Sequence, residues 1–225
     1  TREPESFRLG MGLVLDWHAQ FSGREASAGV WERQLYPALR QVGTALCQQA
    51  AGREVEASGP LAIAAAVALG VVFLAPRDLR LSWRQKNPDR TEQVWNLEAA
   101  RATVPLDATC TPHDLNSTGL AVLIAIARSR AEVRGDFTAS LPALPGFRAV
   151  LEVGALGGRR CDVDTPAAAL ALARGIIEAI RNRRASLGDI HTIHLFLAVP
   201  VGLAVLIGQL LNGLPEVQLY EHVPG

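Results

Sequence analysis

The chain has 225 residues and a mass of 24.0 kDa, enough for one or two domains with a proper core. Its 22 basic and 22 acidic side chains cancel, which argues against a nucleic-acid duplex or an anionic membrane surface as partner, since both attract a basic excess. Hydrophobic residues at 49% and charged residues at 20% mark a globular chain and exclude intrinsic disorder.

The basic residues are nearly all arginine, with Lys86 the single lysine. Arginine suits bidentate recognition of phosphate or carboxylate, although GC-rich coding produces the same bias. Cys47, Cys110 and Cys161 are far apart and form no CxxC pair, so neither a zinc ribbon nor a thioredoxin-like site is expected and a reducing cytosol is the simplest home. The chain opens Thr1-Arg2-Glu3-Pro4 without an initiator methionine, which reads as a piece of something longer. Two uncharged stretches, Ala57 to Pro76 and Leu195 to Pro215, are too short, too alanine-rich or too interrupted for a spanning helix of about 20 apolar residues. Both read as buried elements.

In chain order, Gly12 to Phe21 begins with Leu13-Val14-Leu15 and ends Asp16-Trp17-His18, the pattern of a buried strand with a polar tip. Ser22 to Gly29 reads as a loop. Val30 to Ala51 repeats apolar residues at helical spacing and closes on Gly52. Glu54 to Ala57 alternates as a short strand, and Ser58-Gly59-Pro60 carries the cap-then-proline signature of a helix over about Leu61 to Phe73. Leu79 to Arg84 alternates as a half-exposed strand, Lys86 to Asp89 turns, and Gln93 to Leu97 returns as its hairpin partner.

Thr103 to Asn116 reads as a loop between two halves. Thr118 to Ala127 is a continuous apolar run, as in a central parallel strand. Leu141 to Gly146 is a turn and Ala149 to Val153 another strand. Thr165-Pro166 opens a long helix, apolar at Ala169, Leu172, Ile176, Ile177 and Ile180, with Arg181, Arg183 and Arg184 suiting its C-terminal dipole. Ile193 to Val199 reads as a strand, Pro200 to Leu211 as an apolar helix, and Val217 to Tyr220 as a last strand. The expected class is α/β with a parallel sheet in each half, two related Rossmann-like units at about 1–105 and 106–225.

Catalytic signals are weak. Gly154-Ala155-Leu156-Gly157-Gly158 follows a strand, but its spacing departs from GxGxxG, and a turn is the simpler reading. No Walker loop, GxSxG elbow or HExxH occurs. His191 and His194 face opposite sides of a strand and share no metal, while Asp16 beside His18 reads as a loop cap. A catalytic role for this piece is therefore not expected.

Binding is better supported. Ligands collect beyond the carboxyl ends of parallel strands, where helix starts offer free N–H groups to phosphate. Those ends carry Asp16, Trp17 and His18, then Arg128, Ser129 and Arg130, then the helix opening at Pro200 and Val201. Trp17, Trp83 and Trp95 are candidates to stack a base, with Trp31 on an apolar helix face.

The blocks Ile193-His194-Leu195-Phe196-Leu197-Ala198-Val199-Pro200, Leu203 to Asn212 and Val217-Gln218-Leu219-Tyr220-Glu221 resemble the signature of the SAVED domain. This domain is the cyclic-oligonucleotide sensor of bacterial antiphage (CBASS) effectors. The Leu61 to Phe73 helix, Leu81-Ser82-Trp83 and the Leu120 to Arg128 strand agree, so the resemblance spans nearly the whole chain. It implies two fused CARF-like halves, a pocket between them, and a fused effector lying upstream, commonly an HNH or related DNA endonuclease and sometimes a TIR or protease module. It also implies a cytoplasmic protein that binds a cyclic dinucleotide such as 3′,2′-cGAMP, or a cyclic trinucleotide, and self-associates on binding. On that reading no metal or cofactor is needed in this piece, and neither a membrane nor DNA is its direct partner. Combined with strand-end logic, phosphates would lie at Arg128, Ser129 and the helix start after Pro200, and bases would stack on Trp17 and Trp83. His18, Ser58, Lys86, Val201 and Tyr220 complete the candidate ligand residues. Two other classes remain open at this point: a Rossmann-like enzyme modifying a nucleotide or sugar, and a ligand-free protein-interaction domain.

Overall fold

The computed structural model describes residues 13–21, 26–49, 54–74, 79–87, 89 and 91–221. The first strand expected from the sequence does not form. Leu13, Val14 and Leu15 belong to no regular element and are 59%, 85% and 42% exposed, and no strand among the described residues pairs with them. A short 3-10 turn, His18–Gln20, follows. Helix begins earlier than expected: α1 (Ala28–Val30) is capped by the Ser27 hydroxyl and runs through a π-helical turn, Trp31–Leu35, into α2 (Tyr36–Gln49). Gly52, the expected cap, lies outside the described residues.

β1 (Glu54–Ala57) pairs in parallel with β2 (Arg80–Lys86), and β2 pairs antiparallel with β3 (Glu92–Trp95) as the expected hairpin. The burial of β2 departs from a half-exposed strand. Leu81 and Trp83 face the core as alternation predicts, yet Ser82 on the opposite side is buried too, hydrogen-bonded to Glu54 and Asn96. Between β1 and β2 lies α3 (Ile63–Val72), buried at Ala65–Ala68, Gly70 and Val72. It starts beyond Ser58-Gly59-Pro60, after Ala62, whose side chain offers no cap.

The second sheet has the order β4-β6-β5-β7-β8. β4 (Leu106–Pro112) replaces the expected 103–116 loop and pairs antiparallel with β6 (Ala149–Ala155) along its full length. Its partner lies more than 30 residues downstream, so the half-exposed sequence of β4 carries little local strand signal. β5 (Gly119–Ala125) is fully buried between β6 and β7 (Thr192–Ala198), as the apolar run predicts. β8 (Glu216–Tyr220) closes the sheet in parallel. Each sheet thus carries one antiparallel edge strand and is mixed rather than purely parallel.

Among the described residues, three helices serve this sheet. α4 (Arg130–Ser140), which the sequence reading lacks, puts Val133 and Phe137 on the β5 face formed by Ala121, Leu123 and Ala125, with Phe147 and Phe196. α5 (Pro166–Leu187) and α6 (Val201–Leu210) join the opposite face, Leu120, Val122 and Ile124. That larger core also takes in α3 and the first sheet through Leu81, Trp83 and Trp95. Arg181 serves α6 rather than its own helix dipole, donating to the Leu210 and Asn212 carbonyls at 3.2 and 2.9 Å.

α3, which connects strands of the first sheet, and α6, which connects strands of the second, meet in a close crossing. A Cβ on Gly70 would lie 2.2 Å from the Val205 carbonyl oxygen, and one on Gly208 would lie 2.3 Å from that of Val67. Only glycine allows backbones this near. The contact is reciprocal: Ala62, Ala64, Val67 and Gly70 fall at the same steps along α3 as Pro200, Gly202, Val205 and Gly208 along α6. Ala62 and Pro200 share φ/ψ, −63/150 and −61/148.

Candidate functional site

The carboxyl ends of β5, β6, β7 and β8 lie at one end of the second sheet, because these four strands run parallel. From β5 the chain turns into α4 and returns as β6 on one side. From β7 it turns into α6 and returns as β8 on the other. The two helices cover opposite faces, so the carboxyl ends of β5 and β7 bracket a topological switch point, the usual crevice for ligands in such sheets. The β5–α4 turn is held against β7, with the Ile126 and Ala127 amides both donating to the Ala198 carbonyl at 3.0 and 2.8 Å.

Arg128 and Ser129 flank this point on one side, Pro200 and Val201 on the other, all partly buried. The first two already have roles within the chain. Arg128 pairs with Asp136 of α4 at 2.5 Å. Ser129 is the N-cap of α4 in a full capping box with Glu132: its hydroxyl accepts from the Glu132 amide, and the Glu132 carboxylate accepts from the Ser129 amide at 2.8 Å. The Ser129 hydroxyl also donates to the Glu132 carboxylate at 2.6 Å, and this bond, followed by the one from the Ser129 amide, holds the Glu132 carboxyl below its ordinary pKa. Arg130, beside them, points away to Asp107, donating to its backbone carbonyl at 2.8 Å and meeting its carboxylate at 3.2 Å.

Trp83 does not present a free face there. It is 3% exposed and pairs across the hairpin with Trp95, 1% exposed. A Cβ on Gly202 would lie 2.7 Å from each ring, so both indoles pack directly against the start of α6. Alternation in β2 correctly puts Trp83 and Leu81 on one side; the sequence does not reveal that α6 covers that side. Ser58 and Lys86 lie exposed, beyond β1 and on β2. Trp17 is partly buried and meets Trp31 edge-on at 6.4 Å, while Phe21 meets Trp31 at 6.0 Å. His18 is exposed, and its amide donates to the Asp16 carboxylate at 3.0 Å, the cap read from the sequence.

Tyr220 stacks on Phe196 at 4.4 Å and forms a 3.0 Å hydrogen bond with Nδ1 of buried His194. Burial pushes the Tyr220 phenol up and holds His194 below the usual imidazole value, with Glu216 partly countering the latter. Tyr220 also lines a large cleft, about 960 Å³, between α3, β8 and the Trp31 turn. Its charged lining residues are Glu32, Glu216 and Glu221, with no arginine, lysine or histidine among the described residues.

Two further residues emerge only from the tertiary structure. Glu221, just past β8, accepts from the Ile63 and Ala64 amides at 3.0 and 2.9 Å and so caps α3 in place of Ser58. Gln85, near the end of β2, accepts from the Gly202 amide at 3.0 Å and caps α6. No sequence signal marks bonds spanning 158 and 117 residues. Among the described residues no group of three or more metal-binding side chains forms, and no helix is long and apolar enough to cross a membrane.

Solved structures of similar architecture are known. A Cap4 SAVED/CARF-domain containing receptor from Acinetobacter baumannii, solved with the cyclic trinucleotide 3′3′3′-cAAA, superposes with a TM-score of 0.73 at 17% identity. The same receptor with 2′3′3′-cAAA gives 0.73 at 16%. The Cap4 receptor of Moraxella osloensis gives 0.62 at 16%. Each superposition covers 88% of this chain, but the chain spans only 42%, 42% and 40% of those receptors, and at such identities the likeness is one of fold. No curated protein matches the sequence. The family described as SMODS-associated and fused to various effectors sensor domain, SAVED, matches residues 38–225, and the chain belongs to it.

Proposed function

We propose that this domain binds a cyclic oligonucleotide second messenger and converts binding into self-association that activates a fused effector. The family match over residues 38–225 carries the reading. The switch point supports it, since Arg128, Ser129 and the opening of α6 converge there from two strands. The sequence resemblance favours a cyclic dinucleotide such as 3′,2′-cGAMP, while the similar Acinetobacter baumannii receptor was solved with cyclic trinucleotides. Both sizes share the chemistry required here: several phosphates on a rigid ring, with bases able to stack.

The halves at about 1–105 and 106–225 act as paired CARF-like units, a division supported by the reciprocal crossing of α3 and α6. Binding shifts the placement of the halves only by the ligand's differential affinity for two arrangements. The effector is an HNH-type DNA endonuclease outside these residues, working in cytoplasmic antiphage (CBASS) defence. The chain itself supplies recognition and assembly. Trp17, His18, Ser58, Lys86 and Tyr220 remain candidate contacts alongside Arg128, Ser129, Pro200 and Val201, whereas Trp83 acts by supporting the start of α6.

Calorimetric titration with cyclic di- and trinucleotides and their linear counterparts tests this directly. Saturable binding of one cyclic species, with the linear forms inert, is expected. Sedimentation with and without that species should show a larger assembly when it is bound. An absence of binding by folded protein overturns the sensor reading, and an unchanged oligomer overturns ligand-driven assembly.

A further inference from the structure

The N-termini of α3 and α6 lack caps of their own: neither Ala62 nor Pro200 makes a side-chain bond to its helix. Each is capped instead from the other half. Glu221, which follows β8, holds the Ile63 and Ala64 amides of α3. Gln85, at the end of β2, holds the Gly202 amide of α6. Ala64 and Gly202 occupy the same step in their helices, and the capping residues occupy matching places, each near the end of the strand that follows its own half's crossing helix. The same helices meet at Gly70 and Gly208, whose contacts with Val205 and Val67 are also reciprocal. The four contacts form one closed circuit: β2 caps α6, α6 packs on α3, and the chain leaving β8 caps α3.

The two caps differ chemically. Gln85 is neutral and fixed, its Oε1 also accepting from Trp83 Nε1 at 3.3 Å while its Nε2 donates to the Lys86 carbonyl at 3.0 Å. Glu221 places a carboxylate on two amides at the positive end of a helix, so its bonds are charge-assisted. We propose that Gln85 and Glu221 are reciprocal latches between the halves, with Glu221 the stronger, and that release of either loosens the placement of both. The device goes beyond ligand recognition and does not depend on which ligand is bound. Residues 85 and 221 act through the two helices and are positioning residues.

Amide hydrogen exchange on the whole 225-residue chain tests it, with Glu221→Ala, Glu221→Gln and Gln85→Ala compared with the parent. Glu221→Ala is expected to speed exchange at Ile63 and Ala64 about tenfold or more, and also to speed exchange at Gly202, at the untouched end of the circuit. Glu221→Gln keeps an acceptor in place and should restore most of the protection at Gly202. Gln85→Ala should loosen Gly202 and, more weakly, Ile63 and Ala64. A variant that alters only its own helix start overturns the coupling, leaving two independent caps. If Glu221→Ala does not fold, Gln85→Ala carries the comparison by itself, and unchanged exchange at Ile63 and Ala64 in that variant overturns the proposal. Failure of any cyclic nucleotide to bind the parent chain would count against the sensor reading alone.

Discussion

Alanine at Gly70 probes the close crossing of α3 and α6. The new methyl would sit 2.2 Å from the Val205 carbonyl oxygen and 2.8 Å from Gly208 Cα and Gln209 N, where ordinary contact begins at 3.4 Å. All three obstacles are backbone, so no rotamer change clears them and the helices must part by about 1 Å. Alanine recovers about 1 kcal/mol of helix propensity over glycine. Overpacking costs roughly 1–3 kcal/mol, and the upper end applies in a helix pair as buried as α3 and α6, where parting opens gaps between apolar side chains along both helices. A net loss of about 2 kcal/mol is expected, lowering Tm by roughly 4–8 °C in a chain of this size. Gly208→Ala should behave alike, and the double variant should lose less than the sum, since helices already parted admit the second methyl. Gly135 supplies the control. It lies exposed within α4 with no atom within 4 Å of its would-be Cβ, so Gly135→Ala should gain about 0.5–1 kcal/mol. Urea unfolding at fixed temperature, followed by circular dichroism, measures all four. A Gly70→Ala protein as stable as the parent would show that the helices do not cross this closely.

Arg128→Ala should weaken cyclic-nucleotide binding tenfold or more by calorimetry, since charge-assisted bonds contribute about 1.5–3 kcal/mol each. Its pair with Asp136 is partly exposed, so the same variant should change stability by less than about 1 kcal/mol; unchanged affinity removes Arg128 from the site. Ser129→Ala breaks the capping box of α4 and should cost about 1 kcal/mol in urea unfolding, whereas an unaffected midpoint would deny the cap. His194 is buried and held below the ordinary imidazole pKa of 6.5, so on acidification the unfolded chain takes up its proton first. Its contribution should be fully present above that ordinary value and be lost as pH falls from it toward the lowered native value. His194→Gln should flatten this slope, and a parent chain that grows more stable over the same acidification would contradict the burial argument.

Much of the fold was legible in the amino-acid order, because periodicity depends on residues close together in the chain. The stripe Ala169, Leu172, Ile176, Ile177 and Ile180 is buried in α5 as its spacing demands. The unbroken run in β5 marks a strand covered on both faces, and β2 and β3 pair as the hairpin the sequence suggests. Arg128, Ser129, Pro200 and Val201 could be named as strand-end candidates for the same reason. Local order misled where a partner was decisive. Leu13-Val14-Leu15 has strand composition but, among the described residues, no strand to pair with, and β4 has weak composition but a complete partner in β6. Trp83 reads as a base-stacking candidate until α6 is laid across it. The crevice became a switch point only once β5 and β7 were adjacent with helices on opposite faces. Glu221 and Gln85 became caps only because the chain past β8 returns to α3 and β2 reaches α6. Periodicity can be read from near neighbours, but the pairing of an acceptor with an amide 158 residues away is set by how the chain closes on itself.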